Sequence, residues 1–119
     1  MSTQPVLIAD QWRAAQAGDT FRAENPATTE PLDEVYPVST WADVDAALDA
    51  AARAAPILRT VPPQQIAAFL DDYASRIEAA GDSLVAMAHA ETALPRAPRL
   101  ADVELPRTTG QLRAAARAA

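Results

Sequence analysis

Apolar and polar residues alternate in short runs over the first part of the chain, which is the pattern of short β-strands. Val6 to Ile8 and Gln11 to Arg13 predict one hairpin, with Ala9-Asp10 at its reversal, because Asp tolerates turn geometry. Gly18-Asp19 predicts a second turn. Further short strands are predicted around Phe21 and over the segment "LDEVYPV".

Proline restricts the last of these strands. Pro37 lies inside "LDEVYPV" and has no backbone N–H, so this strand is predicted at a sheet edge or at a strand end.

From Ser39 onward the hydrophobic period lengthens to that of a helix. Thr40 is predicted as the N-cap of the segment "STWADVDAALDAAARAAPILR", with Asp43 as its capping partner three residues later. The apolar residues that share one face of this helix are Val44, Ala47, Leu48 and Ala51.

Prolines and glycines punctuate the helices that follow. Pro62 interrupts the first helix, and Pro63 suits the first turn of the next one. Gly81 is predicted as the stop of this second helix, and Asp82 or Ser83 as the cap of a third. The residues at helical spacing in the second helix are Ile66, Phe69, Leu70, Tyr73 and Ile77, and those predicted to point inward in the third are Leu84, Met87 and Ala88.

The last segment has helical spacing, but Pro106 must kink or restart it and Gly110 weakens it. Its end, "RAAARAA", favours a helix and carries no Gly or Pro terminator. We therefore expect a helix that is cut short, in a chain that is part of something longer.

The predicted fold class is α+β, with short antiparallel strands and hairpins followed by about four amphipathic helices. Residues 1–38 form the predicted strand region and residues 39–119 the predicted helical region. A chain of 119 residues is one ordinary domain at most, and its aromatic content of 5% predicts a thin core.

Charge and residue usage exclude several classes of function. The net charge of −6 argues against nucleic acid or an anionic membrane as a partner, although residues 96–119 carry a local excess of three positive charges. The chain has no Cys and no Lys, which excludes disulfides, thiolate metal sites, Cys nucleophiles and Schiff bases. No leader pattern or 18-residue apolar run occurs, so a cytoplasmic location is expected.

Single-residue candidates for chemistry have simpler structural explanations. Ser83 lies six residues from His89, the only histidine, which places the two side chains about 240 degrees apart around a helix. We expect His89 to be a structural or surface residue. The acidic pairs Asp45/Asp49 and Asp71-Asp72 are expected on solvated faces, and no glycine spacing matches a phosphate cradle.

The order of the segments carries more information than any one of them. An I-x-x-x-W hairpin, a "GDTF" turn and strand, "NPAT" at Asn25 to Thr28, a "DVDAA" helix, and Glu91-Thr92 followed by Leu94-Pro95 together resemble the start of an aldehyde dehydrogenase. The resemblance covers essentially the whole chain. Its later half is most similar to the branch that oxidises 2,5-dioxovalerate, also called α-ketoglutarate semialdehyde.

The resemblance implies a longer parent enzyme with a Rossmann-like cofactor domain, NAD or NADP as cofactor, a cysteine nucleophile and homo-oligomeric assembly. It assigns no catalytic, cofactor-binding or metal residue to this chain, because Cys and Lys are absent and Leu94 stands where an acidic metal ligand is expected. Asp10, Thr29 and Ala93 stand where many members carry Gly. Each of these residues lacks the easy access to left-handed backbone geometry that glycine has.

Two hypotheses follow. The chain is the N-terminal portion of an aldehyde dehydrogenase, binds no cofactor alone, is inactive alone, and partners the remainder of the subunit. Alternatively, it is a freestanding helical interaction module that presents apolar faces centred on Leu48, Leu70 and Leu84. A small-molecule binding module ranks last, because no cluster of convergent polar residues supports it.

Overall fold

The computed structural model describes residues 3–119. Six strands come first: β1 (Val6–Ile8), β2 (Gln11–Arg13), β3 (Ala17–Phe21), β4 (Glu24–Asn25), β5 (Glu30–Pro31) and β6 (Tyr36–Ser39). The helices α1 (Trp41–Leu58), α2 (Pro63–Ala79) and α3 (Gly81–Thr92) follow. A π-helical segment (Arg96–Glu104) then leads into α4 (Leu105–Ala118). The predicted α+β class, with antiparallel strands before four α-helices, is confirmed.

The chain divides into two compact units. The first comprises the residues up to Glu24 together with Pro31–Thr60, and the second comprises Asn25–Glu30 together with Val61–Ala119. The division at residue 38 that the sequence suggested stays a prediction.

The first unit contains the predicted hairpin. β1 pairs antiparallel with β2 in the register Val6↔Arg13, and Ala9 and Asp10 at the reversal have φ of 51° and 64°. Two successive residues in the left-handed region are the geometry of the turn that matches the natural twist of a two-residue hairpin. The alternating pattern therefore predicted both strands correctly.

The second sheet of this unit corrects one prediction. Gly18-Asp19 forms no turn but lies within β3, which pairs antiparallel with β6 and has an irregular register between Ala17 and Asp19. Because β6 lies about twenty residues further along the chain, local turn chemistry could not reveal the pairing. Pro37 is tolerated because the sheet has two strands and β6 therefore has a free edge.

The second unit is helical and has a small buried core. α2 packs against α4, and the buried apolar residues of the described chain are Ala74 of α2, Leu100 of the π segment and Ala116 of α4. Small residues at a helix contact allow the two helix axes to approach closely. Arg113 of α4 adds ion pairs to Glu78 at 2.7 Å and to Asp71 at 3.6 Å.

Helix boundaries differ from the predictions at Gly81. α2 ends at Ala79 and Ala80 is its C-cap, whereas Gly81 is the first residue of α3, without side-chain capping by Asp82 or Ser83. A Cβ built on Gly81 would lie 3.0 Å from Leu105 Cδ2. Gly81 therefore allows a close approach to the start of α4 and does not terminate α2 through a left-handed φ.

The π segment was not predicted. The sequence "ALPRAPR" suggested a break, but the backbone resumes helical turns after the kink at Ala97, and the N–H of Leu100 donates to Pro95 O at 3.2 Å. Pro106 has no N–H, so it cannot donate the α-type bond to Asp102 O. Pro106 lies in the first turn of α4 and restarts the helix, one of the two outcomes the sequence allowed.

Candidate functional site

His89, the only imidazole of the chain, is bound to backbone at the end of α3. Its Nδ1–H donates to the carbonyl oxygen of Leu94 at 2.7 Å. Ser83, the hydroxyl tested as its partner in the sequence, donates to Ala80 O at 2.8 Å. The two side chains thus have separate backbone partners and make no nucleophile–base pair.

The turn after α3 has the shape that a glycine would give. Ala93 has φ 57° and ψ 10°, and its N–H donates to His89 O at 2.8 Å. Thr92 Oγ1 donates to Ala88 O at 2.6 Å and accepts from Leu94 N at 3.2 Å. Thr92 and Ala93 therefore close the helix end through hydroxyl and backbone contacts.

The loop that follows Asn25 is closed by its own atoms. The carbonyl oxygen of Asn25 accepts from Thr29 N at 2.8 Å and from Thr28 N at 3.2 Å, while its Oδ1 accepts from Ala27 N at 2.9 Å. Thr29 completes the reversal with φ 60°. Because these N–H groups point at Asn25, they are not available as an anion cradle.

The backbone is left-handed at Asp10, Thr29 and Ala93, the three positions where the resemblance leads us to expect glycine. All three residues have φ near 60°. Each turn therefore keeps the geometry that glycine adopts easily, although these residues, unlike glycine, have a Cβ atom. The described residues contain no glycine with positive φ.

The sequence did not predict that Asp43 makes the principal polar contact of the first unit. Its side chain is 2% exposed, and its two oxygens accept from Arg13 Nη2 at 2.9 Å and from Gln16 N at 2.6 Å. Thr40 is the N-cap residue as predicted but makes no side-chain cap bond, so the predicted capping box is wrong. Asp43 instead ties the first turn of α1 to β2 and to the residues that follow it.

The acidic pairs do not converge on a common ligand. Asp72 binds Arg76 Nε at 2.7 Å, and this hydrogen bond, together with the negative charge beside it, raises the pKa of Arg76 above its ordinary value. Asp71 lies 3.6 Å from Arg113. Asp45 and Asp49 are exposed, as predicted. Within residues 3–119 no group of three His, Cys, Asp or Glu side chains could hold a metal ion.

The described residues of the helical unit line a charged cleft and an apolar cleft. One, of about 540 Å³, includes the charged residues Glu78, Asp82 and Arg96, but Glu78 already binds Arg113 at 2.7 Å. The other, of about 330 Å³, is mainly apolar and lies beside Tyr73 and Leu84. Neither cleft brings together a nucleophile, a base and an oxyanion donor, which are the groups that acyl or hydride chemistry requires.

The described residues also do not fit a dinucleotide. Gly18, Gly81 and Gly110 are far apart in sequence, and the N–H groups of the Asn25 loop are already bonded. The part of the chain that the structure covers contains no helix long and apolar enough to cross a membrane.

Comparison with known proteins identifies relatives of this arrangement. Residues 12–119 match the model of the aldehyde dehydrogenase family. Alpha-ketoglutaric semialdehyde dehydrogenase 2 of Azospirillum brasilense is 45% identical over 116 residues, which are 97% of this chain and 22% of that protein.

Solved structures show the same fold. The NAD-dependent benzaldehyde dehydrogenase from Corynebacterium glutamicum superposes with a TM-score of 0.85 at 22% identity, over 98% of this chain and 25% of that one. PnpE in complex with nicotinamide adenine dinucleotide gives 0.82 at 26% identity, over 96% of this chain and 23% of that one. The chain thus spans about a quarter or less of the length of these relatives, and it belongs to the aldehyde dehydrogenase family.

Proposed function

We propose that these residues form the N-terminal portion of an enzyme that oxidises an aldehyde or semialdehyde, such as 2,5-dioxovalerate, to the carboxylate with NAD or NADP. The observation that carries the proposal is the 45% identity to the Azospirillum semialdehyde dehydrogenase over 97% of the chain. The proposed cofactor is supported by PnpE, whose structure was solved in complex with nicotinamide adenine dinucleotide.

The role proposed for this portion is structural. The sequence contains no cysteine, so the thiol that the resemblance implies as nucleophile comes from outside residues 1–119. Within these residues, the turns at Asn25 and Ala93 and the buried contact of Asp43 hold the strands and helices in place. We also propose a cytoplasmic location and homo-oligomeric assembly for the complete enzyme, on the basis of the resemblance.

A chimera tests the parent reaction. Residues 1–119 replace the matching segment of the Azospirillum enzyme, and NAD(P)H formation from 2,5-dioxovalerate is followed at 340 nm. We expect turnover within about tenfold of the intact enzyme, because the catalytic groups lie in the retained part. A folded chimera without turnover would contradict the proposal. The purified 119-residue chain is the control, and turnover by it would contradict the structural role.

A second candidate function is a freestanding helical interaction module. The exposed fractions of Leu48 (60%) and Leu84 (44%) favour it, because such apolar side chains suit a protein interface. Size-exclusion chromatography and circular dichroism distinguish the two candidates. A defined dimer whose melting temperature rises with protein concentration supports the module, whereas a monomer whose melting does not depend on concentration supports the portion of a larger enzyme.

A further inference from the structure

We draw no further inference here: the strongest candidate, the apolar surface patch of α2 and α3 that exposes Phe69, Tyr73 and Leu84, carries none, because nothing in the structure shows what covers it.

Discussion

The left-handed residue at the end of α3 offers a sharp test of the backbone geometry. Ala93 has φ 57°, and an L-residue in this region costs about 1–2 kcal/mol relative to its usual conformations. Ala93→Gly removes this strain. Glycine also gives the unfolded chain more freedom, which costs about 0.4–1 kcal/mol. The side chain of Ala93 is exposed, so little packing is lost. The net expectation is a gain of about 0.5–1 kcal/mol.

Urea and thermal unfolding followed by circular dichroism at 222 nm measure this gain. We expect the unfolding temperature to rise by about 2–4 °C. The control is Ala68→Gly, an exposed interior position of α2 where glycine costs about 1 kcal/mol. Ala93→Val should destabilise, because a β-branched side chain tolerates positive φ poorly. If Ala93→Gly lowers the midpoint as much as Ala68→Gly does, the inference of strain at this turn is wrong.

Two further substitutions test the contacts within each unit. Asp43→Ala should lower the free energy of unfolding by about 3 kcal/mol, because it leaves Arg13 and the N–H of Gln16 without their partner. The control is Asp45→Ala at an exposed position, which should change the free energy of unfolding by less than about 0.5 kcal/mol. Equal effects in urea unfolding would count against the Asp43 contact. Arg113→Gln should lower the free energy of unfolding by about 1 kcal/mol at low salt and by less than half of that in 1 M NaCl, because salt screens ion pairs whose partners are partly exposed. A loss that does not depend on salt would show that packing dominates.

The parts of the fold that were predicted correctly are those set by local patterns. The β1–β2 hairpin followed from alternation around Asp10, and α2 followed from helical spacing after Pro63. The parts that were missed depend on contacts remote in sequence. β3 extends through Gly18 because its neighbouring residues pair with β6, and Gly81 lies where a Cβ would come close to the side chain of Leu105.

The polar contacts of the candidate site divide in the same way. His89 and the Asn25 loop bond to residues within five positions in sequence, so their structural roles could be anticipated. Asp43 binds residues 27 and 30 positions away, and its position in the first helical turn equally fitted a capping role. Only the tertiary arrangement distinguishes these two uses of the same carboxylate.

The Asp43 contact also determines how α1 is held. Asp43 fixes the first turn of this helix, whereas every residue from 51 to 60 is exposed. A helix of this length is marginal without tertiary support, so its two ends do not share one free energy of opening. Tertiary contacts therefore hold the N-terminal end of α1, whereas its C-terminal end is exposed. Amide exchange should therefore become progressively faster towards Leu58, and protease cleavage should concentrate at that end.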